Sequence, residues 1–300
     1  RSLDGLAWAA RIARLQGDLE QYRDLEQQTL ALAPGHSEFY EIVADGLLRA
    51  RQLDAAATVA RRGLALDEEH WNLRAILGTA LARNGAVVAG QAELSEAYRG
   101  DNVRHGLYTR NQVEVLDAWA ELSVVEALDG RVRIRVPSEV VRWFPALVER
   151  ELARAWERLT VKWGFEPDGP VEVEFWTRPD EFAVRSTGLP AVTSPATAFP
   201  KLVLMMLPAS YQGEVAWAAE LRRMIDEVFA LQRSESRLPE WLLEGLGLWE
   251  AREIRSSWGP ELDAELIRAW FQRELWSVET INRAFRAAAS SRFATFQASW

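Results

Sequence analysis

Residues 221–251 read LRRMIDEVFALQRSESRLPEWLLEGLGLWEA. Leu221, Ile225, Val228 and Gln232 fall on one face of a helix, the polar run RSESRLP interrupts the pattern, and WLLEGLGLW resumes it as a second helix. Both helices have the composition of core elements, yet the first carries Arg223, Asp226 and Glu227 and the second carries Glu244. Arg223 and Glu227 stand four apart and share a face, with Met224 beside them. Charge in a core-facing helix needs either a partner or a function, because an isolated buried charge is strongly unfavourable.

Upstream of this pair the pattern is that of a small sheet. VRIRV (132–136) and VEVEFW (171–176) alternate at strand period, and KLVLMML (201–207) is a third strand, more continuously apolar. Residues 138–163 read as a helix capped by Ser138, and 179–184 as a short helix ahead of a Gly/Pro/Ser/Thr loop. Gly213 opens the helix of the quoted stretch. The order β-α-β-α-β-α-α predicts an α+β domain over residues 130–300. KLVLMML is expected at the sheet edge, open to a cleft and free to accept an extended peptide by strand addition.

The first third repeats itself. Residues 3–102 fall into three units of 34, with turns at Gly17, Arg51 and Gly85 and small or apolar positions at Ala10, Ala44 and Gly78. Leu30, Leu64 and Tyr98 form another series, and each unit is a pair of amphipathic helices. Residues 104–129 read as a closing helix and linker, giving a helical repeat domain over 1–129. Stacked pairs form a concave face, into which Arg11, Arg14, Glu41, Asp45, Arg49 and Arg83 would point. That face is either a peptide groove or the solvated side of a spacer.

Composition narrows the function class. A formal charge of −9 argues against nucleic acid and anionic membrane as partners, and no apolar run is long enough to span a bilayer. The absence of cysteine removes disulfides, thiolate nucleophiles and Cys metal sites. The chain begins at Arg1 with neither an initiator Met nor a signal-like segment, and is read as part of a longer protein. Its histidines, His36, His70 and His105, all lie in the repeat region, so no serine of the second domain has one to activate it.

The 34-residue period, the Leu77-Gly78 pair, Gly17 and Pro34 resemble the tetratricopeptide repeat. The strands, the helix pair and the closing NRAF and FQASW segments resemble the gluzincin metallopeptidases, specifically the bacterial peptidase-MA-like domains that follow such repeats. In that family the first helix of the pair carries His-Glu-x-x-His, two zinc ligands around a general base, and the next helix supplies a Glu as third ligand. The resemblance places Arg223 at the first His, Met224 at the base, Glu227 at the second His and Glu244 at the third ligand. A register shifted by one turn, setting AELRR (219–223) on the motif, keeps Glu220 as base but offers Ala and Arg as ligands.

The substitutions imply a lost metal site. A guanidinium has no lone pair to offer, and a thioether takes no proton from water. No catalytic residue, metal or cofactor is assigned. Arg223 is expected either to bridge Glu227 and Glu244 or to stand apart from them as an exposed charge, and Met224 to point to the cleft floor. An oxygen-only cation site of Asp226, Glu227 and Glu244 is opposed by Arg223. The expected function is that of an inactive metallopeptidase-like protein that binds a protein or peptide partner through its repeats or its old cleft, or serves as architecture. The alternative is a residual hydrolase with a displaced metal.

Overall fold

The computed structural model describes residues 2–101, 106–190, 194–210, 216–254, 263–286 and 297–299. The architecture is α+β: seven packed N-terminal helices, then a five-stranded mixed sheet with helices. The helices are α1 (Leu3–Gln16), α2 (Leu19–Leu32), α3 (Glu38–Arg49), α4 (Leu53–Leu64), α5 (Trp71–Arg83), α6 (Val87–Gly100) and α7 (Gly106–Ala120). Then follow β1 (Ser123–Ala127), β2 (Val132–Val136), α8 (Phe144–Trp163), β3 (Val171–Trp176), α9 (Pro179–Thr187), β4 (Ala196–Phe199) and β5 (Leu202–Met206). The chain continues through α10 (Trp217–Arg233), α11 (Glu240–Ile254), α12 (Asp263–Gln272) and α13 (Val278–Arg286). Gly213, read as opening α10, and His105 lie outside the described residues.

Two compact units emerge. One comprises Arg1–Ser123 with Arg178–Thr193, the other Val124–Thr177 with Ser194–Trp300. The sequence between β3 and β4, including α9, thus belongs to the helical unit. Residues 123–127, read from the sequence as linker, form β1.

In the helical unit α1–α2, α3–α4 and α5–α6 pack as pairs, and no described residue in 3–101 is in a strand. The second helices begin at Leu19, Leu53 and Val87, keeping the 34-residue interval. Ala10, Ala44 and Gly78 are all buried, which allows the helices to approach closely. At Gly78 and Gly90 the approach is extreme: a Cβ on Gly90 would lie 2.6 Å from both the Ala82 nitrogen and the Gly78 carbonyl oxygen. The turns at Gly17, Arg51 and Gly85 all have positive φ (82°, 60° and 89°), so Arg51 holds a backbone conformation that glycine takes without strain.

In the second unit the strand order is β1-β2-β3-β5-β4, with β2, β3 and β5 parallel and β4 antiparallel to β5. This corrects the expected place of KLVLMML. The ATAF segment pairs along β5 from Phe199↔Leu202 to Ala196↔Met205, so β5 is interior and strand addition to it is not available. The edge strand on this side is β4, four residues long, and short edges are one way sheets avoid unwanted pairing. β3 is central in the sheet and buried at all six positions, so both of its faces are covered. Its alternation survives as chemistry: Val171, Val173 and Phe175 enter the apolar core, while Glu172 accepts from Arg133 at 3.0 Å and Arg135 at 2.8 Å. Glu174 accepts from the Trp176 indole at 3.1 Å.

α8 starts at Phe144, with Pro145 in its first turn, and not at the expected Ser138 cap. Proline's fixed φ and missing N–H suit it to that first turn. The core of the unit is the space between the sheet, α8 and α10, filled by Phe144, Trp156, Phe175 and Phe229 among others.

The contrast between two glycines is testable by chemical denaturation followed by circular dichroism. Gly90→Val forces apart two backbones and should cost roughly 2–3 kcal/mol. Gly85→Ala meets open space but a φ of 89°, so it should cost about 1 kcal/mol through backbone strain alone.

Candidate functional site

α10 and α11 bring the substituted positions together. Arg223 Nη1 donates to Glu227 Oε1 at 2.9 Å and to Glu244 Oε2 at 2.7 Å. Its Nε and Nη2 donate to Glu220 Oε2 at 3.2 and 2.9 Å. One guanidinium therefore faces three carboxylates, two from its own helix and one from the next. Glu220 was not expected here, although its i, i+3 spacing to Arg223 is readable. Gly247 makes room for the arrangement: a Cβ there would lie 2.6 Å from Arg223 Cγ. Burial alone would lower the Arg223 pKa, but Glu244, Glu220 and Glu227 outweigh it and hold it above the ordinary guanidinium value.

Met224 does not share this cluster. It is 1% exposed and packs in the core between the sheet, α8 and α10, which corrects its expected position on a cleft floor. The three substituted positions of α10 thus resolve by rotation about the helix axis. Arg223 and Glu227 face α11, and Met224 faces the core.

Asp226 is occupied elsewhere. Its Oδ1 accepts from Lys162 Nζ at 3.2 Å and from the Trp163 indole at 2.9 Å. Lys162 also donates to Glu250, whose other oxygen takes Arg158 at 2.7 Å. Arg222 completes the set with a 2.6 Å bond to Glu151. Burial pushes the Asp226 carboxyl above the ordinary carboxylate range, with Lys162 and Trp163 opposing and Glu250 adding to the rise. The oxygen site of Asp226 with Glu227 and Glu244, which Arg223 already opposed, is not formed. Among the described residues no three His, Cys, Asp or Glu side chains are placed to hold a metal ion.

The donors present do not fit a gluzincin-type zinc. That ion requires two imidazoles and a carboxylate, and the position between Glu227 and Glu244 is filled by a cation fixed to the backbone of α10.

In the helical unit, four of the six expected groove residues line one cavity of about 380 Å³: Glu41, Asp45, Arg49 and Arg83. Arg11 and Arg14 do not line it. Arg11 instead donates to Asp45 at 3.1 Å, and Arg14 lies half-buried on α1. The cavity is completed by residues the repeat pattern did not point to, Tyr108 and Thr109 of α7, Thr187 at the end of α9 and Leu189 beyond it. His36 and His70 contact Glu38 and Glu41 through single imidazole nitrogens at 3.2 and 3.3 Å. No helix among the described residues is long and apolar enough to cross a membrane.

Two substitutions separate the charge networks. Arg223→Ala leaves Glu220, Glu227 and Glu244 facing one another and should cost roughly 2–4 kcal/mol at neutral pH. In that variant three like charges face one another, so stability should recover as acid neutralises them. Asp226→Asn should act in the opposite sense. A carboxyl whose folded pKa lies above its unfolded value destabilises the fold once ionised. The amide keeps its acceptor for Trp163 and Lys162, so the variant should gain stability over the wild type where the wild-type carboxyl is ionised. That gain should shrink as pH falls toward the unfolded carboxylate pKa. Urea midpoints measured across that pH range read both effects.

Compared with protein-family models, with curated proteins and with solved structures, the chain has no match.

Proposed function

We propose that the chain is a catalytically inactive metallopeptidase-like protein, in which tetratricopeptide-like repeats precede a gluzincin-like unit, and that it acts by binding a protein or peptide. The observation that carries this reading is the contact of Arg223 with both Glu227 and Glu244 at the spacing of the parent zinc ligands. Three ligands around a divalent cation are replaced by one guanidinium between anions, with Glu220 as a further acceptor. The helix pair keeps the geometry of a metal centre while its chemistry becomes that of a salt-bridge cluster.

The inactivity follows from side-chain chemistry. Arg223 offers donors only, so it can neither ligate a metal nor accept a proton from water. Met224 is no base and is packed into the core. The binding role is assigned to the helical unit, whose cavity of about 380 Å³ sets both signs of charge around Leu48, Ile76 and Leu189.

Metal analysis of the purified chain tests the reading. The expected result is well below one zinc per chain and no peptidase activity, unchanged in Glu244→Ala. Stoichiometric zinc that is lost in Glu244→Ala would overturn it. The double change Arg223→His with Glu227→His restores two imidazoles beside Glu244 and should raise zinc affinity measurably. Adding Met224→Glu should give little further, because it places a carboxylate in the apolar core.

A further inference from the structure

The two ends of the helical stack differ. At one, α7 packs on α6 and closes it. At the other, α1 turns an apolar stripe to solvent. Trp8 and Ile12 are 52% and 55% exposed, Leu15 is half-buried, and Leu19 at the start of α2 is 43% exposed. The 34-residue interval shows how unusual this is within the unit. The equivalents of Ile12 are Gly46 and Ala80, and those of Leu19 are Leu53 and Val87; all four are buried. Gly5 is exposed, whereas its equivalents Phe39 and Leu73 are fully buried.

In the later units this face is covered by the pair that comes before. Phe39 of α3 meets Tyr22 of α2, with ring centroids 6.2 Å apart. A Cβ on Gly46 would collide with the Arg11 side chain of α1. Leu73 of α5 sits on Gly63 of α4, where a Cβ would lie 2.5 Å from Leu73 Cδ1. Each of these first helices thus receives the preceding pair on the face that α1 leaves bare. A terminal unit meeting only water is expected to be polar there. On α1 the face is instead Trp8 and Ile12 beside the small residues Gly5 and Ala9, which stand one turn apart and permit a close helix approach. The one polar cover on the stripe is local: the Arg11 guanidinium lies over the Trp8 ring, 4.9 Å from its centroid.

We propose that this face of α1 seats a further helix pair of the same repeat, carried upstream of Leu3 in the same polypeptide. The interface would continue the one that already joins α1 to α3 and α4 to α5. A second copy of the chain is the competing occupant, and the geometry disfavours it. Head-to-tail stacking would need the far side of α6, which α7 occupies. Face-to-face pairing would rest on three half-exposed side chains, on the order of 300 Å², where a stable interface uses roughly 800 Å² per partner. A pair tethered at the repeat interval needs less area, because the linker sets a high effective concentration. The inference is independent of the cavity and of the Arg223 cluster.

Hydrogen exchange of the α1 amides in the full chain tests it. Residues 35–68 are duplicated directly ahead of residue 1, which keeps the interval of 34. A second fusion uses residues 69–102 in the same place, in case one added pair does not fold. In at least one fusion α1 should exchange about tenfold or more slowly than in the natural chain. Ile12→Glu should abolish that gain. In the natural chain the same substitution faces solvent and should change α1 exchange by less than about twofold. Unchanged α1 exchange in both fusions would overturn the proposal, as would a gain that survives Ile12→Glu. A dimer of the natural chain in sedimentation that Ile12→Glu dissolves would also overturn it, and would assign the face to a second copy.

Discussion

The guanidinium of Arg223 sets the terms on which α10 and α11 meet. Without it, Glu220, Glu227 and Glu244 would converge as three like charges in a space where water is scarce. With it, each accepts at least one bond of 2.7–2.9 Å. The fork of donors on a planar guanidinium can serve several carboxylates at once, which an ammonium at the same place would do less well. Gly247 is the other half of this contact, because only the absence of a side chain on α11 lets the stem of Arg223 pass. Such a cluster is not a source of large net stability, since desolvation of the four groups offsets much of their attraction. Its effect is to fix which face of α10 meets α11.

That constraint propagates. With Arg223 and Glu227 facing α11, Met224, Ile225 and Phe229 turn into the core with the sheet and α8. Arg222 and Asp226 then reach Glu151 and Lys162 of α8. The charges of α10 are thus shared between two neighbours, Arg222 and Asp226 pairing with α8 and Arg223 with α11. Rotating α10 by one residue would break its pairs to α8 and α11 at once, so the charges specify orientation more strongly than an apolar helix could. The same arrangement supports the proposed function, because a helix pair locked by its own cation has no open coordination position to offer.

The repeat was legible because it is local. The interval of 34 and the turns at Gly17, Arg51 and Gly85 need only neighbouring residues, and the structure starts α2, α4 and α6 at that interval. The meeting of Arg223 and Glu244 was legible for a related reason: a helix–turn–helix fixes its own geometry over 21 positions. The misreadings of KLVLMML and of α9 involve pairing between distant segments. Nothing in ATAF announces that it will cover β5, and nothing in PDEFAVRST shows that α9 joins the helical unit and not the sheet around which its sequence lies. Met224 was misplaced because the motif position was read as a direction, although a thioether at that register is simply core. The Lys162–Asp226–Glu250 network draws on α8, α10 and α11 together, and no spacing rule joins those three.

The central claim is that Arg223 and Glu244 act as one unit, and a double-mutant cycle on stability measures it most directly. Arg223→Ala, Glu244→Ala and the double variant are compared with the wild type by urea denaturation at neutral pH and low salt. A coupled pair should give an interaction energy of about 1–3 kcal/mol, with the double variant more stable than Arg223→Ala predicts when the two single effects are added. Additive effects, within about 0.5 kcal/mol, would show that the two residues do not hold each other and would contradict the account.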